Sequence, residues 1–253
     1  MTESVRRRVF LVAAVGLVAL LAWGMSGLPD FGDYQGPYGD ILNKAAVPAR
    51  HATNVVNLVN FDYRAFDTMG EEFIFFAAVI GVTVLLRERR EEQARPAGEE
   101  EGGARVEQTS DALKLTGLVL LPATMLLGVY IITHGNLSPG GGFQGGVVLV
   151  TGGLVVYLVG ESLRAQRSPP LQLAEFLEGF SAGAYVLVGL AGLITGAVFL
   201  ENVLPLGPQG GLLSGGIVPL INLAVGFEIA AGIVLMISEF IEETYMLRHR
   251  DSR

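Results

Sequence analysis

Six apolar blocks constrain this chain more than any other feature. They run over Val9–Met25, Gly70–Leu86, Leu115–Ile132, Gly145–Gly160, Phe180–Leu200 and Ile217–Ile237, separated by polar or Gly/Pro-rich joints. A helix needs about 20 predominantly apolar residues to cross a typical hydrocarbon core. The first, second and fourth blocks fall short and must borrow flanking residues or sit where the bilayer is thinned. Composition agrees: 51 % of the 253 residues are hydrophobic and only 17 % charged, where soluble domains carry roughly 25 % charged residues. The expected fold is all-α, a polytopic membrane protein of about six transmembrane helices.

Orientation follows from the basic residues, which concentrate in cytoplasmic loops. With the N-terminus inside, the inner segments hold Arg6, Arg7 and Arg8, then Arg87 to Lys114, then Arg164 and Arg167, then Arg248, Arg250 and Arg253. The outer segments hold Lys44, Arg50 and Arg64. Fourteen of the 17 basic residues therefore lie inside, and both termini are expected in the cytoplasm of a prokaryote. Arg6–Arg8 followed by an apolar run also fits a signal peptide. However, Trp23 interrupts the small-residue cleavage pattern, so an uncleaved anchor is expected.

Several function classes drop out. Cysteine is absent, which removes disulfides, thiolate metal sites and Cys-ligated clusters. Three scattered histidines make no metal site. There is no basic patch interleaved with aromatics, so nucleic acid is not a partner. No triad or nucleotide loop suggests an enzyme, and no cofactor or metal is implied.

The charged, Gly-rich segment 91–111, with Glu99, Glu100 and Glu101, cannot bury enough apolar surface to fold. It reads as a cytoplasmic linker dividing the chain into a two-span module (1–90) and a four-span module (112–253). In the first module, Ala52, Val55, Val56 and Val59 fall on one helical face, with Asn54 and Asn57 off it, predicting a short amphipathic helix. Thr68 and Glu71 have the spacing of a capping box at the entry to the second span. In the second module, the run from His134 to Gly146 contains Gly140, Gly141, Gly142, Gly145 and Gly146. Such a run near a membrane surface implies tight turns and close backbone approach, tolerated only against protein or water.

These two stretches resemble known proteins. Leu121-Pro122-Ala123-Thr124 through Thr133-His134-Gly135-Asn136-Leu137-Ser138-Pro139-Gly140-Gly141-Gly142-Phe143-Gln144-Gly145-Gly146 resembles the B subunit of the Mrp (also called Mnh) sodium/proton antiporters, over about residues 112–245. Asn60-Phe61-Asp62-Tyr63-Arg64-Ala65-Phe66-Asp67-Thr68-Met69-Gly70-Glu71 is similar to the C-terminal end of the large A subunit of these antiporters and to the E subunit of membrane-bound hydrogenases. The resemblance implies a fused subunit of an inner-membrane complex that exchanges Na+ for protons in pH and sodium homeostasis. Its partners would be the A, C and D subunits and others, and it would lie in the lipid bilayer. The same module also serves hydrogenase and complex-I-like redox complexes, so a membrane-anchor subunit of such a complex is the second expectation.

Acids inside the apolar blocks are the candidate ion-translocating groups. Glu228 sits near the centre of Ile217–Ile237, where a carboxylate costs a few kcal/mol and should face protein or water. It reads as a proton or cation relay, or as a structural partner for another chain of the complex. Glu71 and Asp67 share a face at the outer end of the second span, as a proton-collecting pair or as helix-start acids favoured by the dipole. Glu72 lies beside them. Glu161, Glu175 and Glu178 stand at one membrane face, attracting cations or simply wet. His134 ends the third span as a proton port or as a pin for the glycine loop. Gly179–Gly183 and Gly192–Gly196 are small-residue pairs expected to mark a packing face.

Overall fold

The computed structural model describes residues 3–33, 36–93, 110–159 and 171–251. The helices are α1 (Glu3–Ser26), α2 (Pro37–Arg50), α3 (Val55–Leu58), α4 (Ala65–Gln93), α5 (Asp111–Thr133), α6 (Gly142–Val159), α7 (Leu171–Ile194) and α8 (Val218–Asp251). A wide turn over Val59–Tyr63 joins α3 to α4. No strand occurs among the described residues. Among the described residues, five helices are long and apolar enough to cross a membrane: Arg7–Ser26, Ala65–Leu86, Leu115–Thr133, Leu171–Ile194 and Val218–Phe240. The fourth expected crossing, Gly145–Gly160, corresponds to α6, whose apolar stretch Gly142–Val155 is shorter. The chain is thus a multi-pass membrane protein. Of the segment expected as a linker, Glu91–Gln93 continue α4, and residues 94–109 lie outside the described residues, as does Glu161.

The chain divides into two compact units between Ile41 and Leu42, within α2. In the first unit, α1 exposes its large apolar side chains along its whole length, Phe10 and Trp23 among them, as a lipid-facing helix does. In the second unit α8 is central and packs against α7, α6 and α4, while α5 pairs with α6. One buried cluster joins Leu58, Phe61 and Ala65 to Tyr185, Ile217, Ile221, Val225 and Ile229. A second, smaller one joins Val79 of α4, Ala174 of α7, and Ala231 and Leu235 of α8.

Three expectations need correction. The fifth span starts at Leu171, nine residues before Phe180, and ends at Ile194. The apolar run continues past that point, but the backbone turns. Gly196 adopts φ +84°, Gly196 N donates to Leu193 O and Ala197 N to Gly192 O, a Schellman cap that stops the helix. Secondly, α4 begins at Ala65, so Thr68 lies inside its first turn and does not cap it. Thirdly, the short helix before it is only Val55–Leu58, and its buried residues are Asn57 and Leu58 while Val56 is 69 % exposed. Of the expected apolar face, Ala52 is buried and Val55 packs against the core, but Val56 points out and Asn57 turns inward to a polar partner described below. Gly179 and Gly183 meet open space in the single chain; within α7 it is Gly189 and Gly192 that lie against neighbours, Phe199 and Val198.

Candidate functional site

The glycine loop and the segment before α4 are held together by asparagines. Asn54 Nδ2 donates to Gly135 O (2.8 Å), Ser138 O (2.9 Å) and Gly140 O (3.3 Å), gathering the carbonyls of the loop. Gly140 takes φ +130°, which a side-chain-bearing residue rarely adopts. Asn57 and Asn222 form a reciprocal amide pair: Asn57 Nδ2 donates to Asn222 Oδ1 (3.0 Å) and Asn222 Nδ2 to Asn57 Oδ1 (2.6 Å). Asn222 Oδ1 also accepts from Gly142 N (2.9 Å), capping the start of α6. A Cβ on Gly142 would run into Asn222 O and the Val225 side chain, so only glycine lets α6 approach α8 here.

Just beyond this joint lies a cavity of about 290 Å³ lined by Asn57, Asn60, Phe61, Thr68, Glu71, Glu72, Phe143 and Gln144, with Val56 and Gly140. The wide turn supplies Asn60 and Phe61 to it; Arg64 N there donates to Val59 O (2.8 Å), one residue further back than in an α-helix. The cavity wall is amide, hydroxyl and carboxylate with two aromatic rings, a surface suited to a partly hydrated cation.

From the cavity inward, three carboxylates occupy one level of the bundle. Tyr185 OH donates to Ala65 O (2.9 Å), which sets the register of α7 against α4. Seven residues along α4 from Ala65 comes Glu72, and seven residues back along α7 from Tyr185 comes Glu178. Each step is two turns, about 10 Å, and keeps to the same face. Beyond the acids, Val79 and Ala174 meet in the second apolar cluster with Ala231 and Leu235 of α8. Glu228 lies one turn before Ala231 and Gly232, so it shares the level of Glu72 and Glu178.

Glu72 and Glu178 are 5 % exposed and Glu228 is 0 % exposed. Glu228 lies within Coulombic range of Glu72 and Glu178, and Glu72 within range of Glu71. Neither oxygen of Glu228 has a hydrogen-bond partner, nor do Oε2 of Glu72 and Oε1 of Glu178. The ion pairs seen among the described residues lie elsewhere, at Arg50–Asp62 and Arg64–Asp67. The acids do not converge closely enough to ligate one metal ion together. They form a spaced layer of buried acids.

The candidates read from the sequence fall in different places. Glu228 is in the layer, and Glu71 is on the cavity wall. Asp67 is outside both, half exposed and paired to Arg64, whose Nε donates to Asp67 Oδ2 (2.6 Å). His134 is also outside: its ring stacks on Tyr130 with centroids 4.1 Å apart, and its Nδ1 lies 3.0 Å from Tyr130 O in the last turn of α5. Glycines Gly140, Gly141 and Gly142 form the loop joint, and Gly145 and Gly146 let α6 lie against Ile132 and Gly226. Sequence reasoning undervalued Glu72 and Glu178 and missed Tyr185, Asn57 and Asn222. Correct placement of the fifth span would have brought Glu178 into the membrane.

Comparison with known proteins fits this architecture. Residues 112–235 match a domain related to the MnhB subunit of Na+/H+ antiporter. Residues 5–101 match MbhE, the E subunit of MBH. A Methanocaldococcus jannaschii protein is 26 % identical over 196 residues, 71 % of this chain and 74 % of that protein. A Rhizobium meliloti protein described as a probable K(+)/H(+) antiporter A/B subunit is 29 % identical over 125 residues, 43 % of this chain but 12 % of that longer protein. Among solved structures, a chain of the membrane-bound sulfane sulfur reductase, an archaeal respiratory membrane complex, superposes with a TM-score of 0.68 at 28 % identity, covering 93 % of this chain and 98 % of that one. A chain of the Mrp complex from Dietzia sp. DQ12-45-1b gives 0.68 at 25 % identity, covering 94 % of this chain and 26 % of that one. Residues 112–235 thus resemble a domain related to the MnhB subunit of Na+/H+ antiporter, and residues 5–101 before them resemble MbhE.

Proposed function

We propose that this chain is a membrane subunit of a multi-subunit monovalent cation/proton antiporter in a prokaryotic inner membrane, a component of a transporter and not an enzyme. In this reading it is needed for assembly, and it contributes to ion transfer through Glu72, Glu178 and Glu228. The observation that carries the reading is the acid layer itself: three carboxylates from α4, α7 and α8 at one depth, with four oxygens lacking a partner, reached through a polar cavity that Glu72 also lines. Uncompensated acids in a membrane interior mark ion pathways. Both termini sit in the cytoplasm, by the distribution of basic residues. Residues 1–90 and 112–253 act as two fused modules.

The test is Glu228→Gln in the assembled complex. Everted vesicles carrying a pH-sensitive dye should lose most Na+-induced dequenching while complex abundance stays normal. Full dequenching at normal abundance would refute the role. Membership of a larger complex has its own test, since this chain reconstituted alone is expected to exchange nothing.

A second reading has a specific observation behind it. The respiratory sulfane sulfur reductase chain is matched over nearly its whole length, whereas the Mrp chain is matched over about a quarter. On this reading the same module couples ion movement to electron transfer elsewhere in a redox complex. Purifying the complex and identifying the co-eluting chains separates the two, because redox-centre subunits would accompany the chain only in the second case.

A further inference from the structure

The acid layer is open on one side and sealed on the other. Toward the Ala65 end of α4, Glu72 reaches the polar cavity. Toward the Gln93 end, the next layer is wholly apolar. Val79, Ala174, Ala231 and Leu235 are buried together with Phe75 packed against them. The fit is tight at Gly232, where a Cβ would stand 2.5 Å from the Phe75 ring and 2.9 Å from Val79 Cγ2.

One turn beyond Val79 on the same face stands Thr83. Its hydroxyl oxygen is buried and has no hydrogen-bond partner. Five other threonines behave differently. Thr116, Thr124, Thr133, Thr151 and Thr195 each donate to the carbonyl four residues back, as a threonine in an apolar helix is expected to do. A buried hydroxyl that leaves this local bond unmade calls for an explanation. The stripe Glu72, Phe75, Val79, Thr83 supplies one, since it aligns an acid, an apolar plug and a hydroxyl along α4.

We propose that the second exit of the acid layer is a proton path, in which Thr83 is the first polar station beyond an apolar gate formed by Phe75, Val79, Ala174, Ala231 and Leu235. This inference rests on the ion-transfer reading of the acids. The gate offers no side-chain oxygen to replace the hydration shell of a metal cation, whereas a transient file of water through it carries protons by hopping. Hydrophobic constrictions gate by drying in this way. Metal cations thus exchange with the acid layer through the cavity, and protons cross the gate.

The probe is Val79→Thr, which keeps the side-chain shape and puts a hydroxyl into the gate; Leu235→Ser is the second variant should the first fail to assemble. The assembled complex is reconstituted in vesicles and subjected to a potassium diffusion potential without Na+, with internal pH followed by dye. A passive proton leak should rise roughly tenfold, the change that about 1.4 kcal/mol off the barrier produces. Na+ entry should not rise, and adding Glu228→Gln or Thr83→Val should return the leak to baseline, while Thr83→Ser should not.

An unchanged proton leak in both gate variants at normal abundance overturns the proposal, as does a Na+ leak matching the proton leak. So does a leak indifferent to Glu228→Gln. Coupled exchange by the unsubstituted complex is measured in the same vesicles. A gated proton leak in a complex that exchanges no cation would remove the antiporter reading and leave the gate standing.

Discussion

Asn222 and Glu228 lie six residues apart on α8, and both are 0 % exposed. Asn222 is fully engaged: its oxygen accepts from Asn57 Nδ2 and Gly142 N, and its amide nitrogen donates to Asn57 Oδ1 and Val218 O. Glu228 makes none of the bonds open to it. The helix therefore carries two kinds of buried polar group within two turns. One is spent on joining three segments of the chain. The other is left for something that arrives, whether an ion, a proton or a neighbouring chain of the complex. A polar group in a membrane interior costs several kcal/mol unless it is bonded, so the difference separates a residue bonded into the architecture from one that, under the proposed function, serves transfer.

The largest effect is expected at the bonded residue. Asn222→Leu strands Gly142 N and the Asn57 side chain, and each buried orphan costs about 1–3 kcal/mol. Abundance of the assembled complex, measured in membranes by immunoblot, should fall severely. Adding Asn57→Leu should restore part of it, because replacing both partners of a buried bond removes one of the orphans. Normal abundance of Asn222→Leu alone would show that the amide pair is not the joint.

The second effect has the opposite signature. Glu228→Leu removes an uncompensated buried acid and fills its site with apolar atoms, so the purified complex should melt a few degrees higher. Exchange should nonetheless be lost. Stability and activity that move apart are expected where a site is strained for function. A lower melting temperature would instead make Glu228 a structural partner, the bland alternative that the sequence left open.

How much of this was legible in the sequence differs between the two groups. Glu228 is found by position alone, since an acid near the middle of a long apolar block stands out without any structure. Glu72 and Glu178 are not, because their depth depends on where the helices start. Apolar content placed the fifth span nine residues late; Gly196, which ends α7, carries no hydropathy signal to correct it. The amide joint was less legible still. Asn57 looks like a solvent-facing residue by periodicity, and only its partner, 165 positions away, turns it inward. The glycine run was recognisable as a place of close approach, but nothing local says that Asn54 collects its carbonyls.

The smallest effect should be found at Asp67, which belongs to neither buried group. Its side chain is 51 % exposed, and it is paired three residues away with Arg64, itself 58 % exposed. Exposed pairs of this kind contribute about 0–1 kcal/mol, and the acid also gains from sitting in the first turn of α4. Asp67→Asn should therefore leave complex abundance within error and alter the initial rate of Na+-driven dequenching little. The comparison that matters is with Glu71, four residues further along, which reaches the cavity wall. Should Asp67→Asn slow exchange as much as Glu71→Gln at equal abundance, the ion route begins at the helix start, outside the cavity. Burial without a partner would then no longer separate the transferring acids from the structural ones.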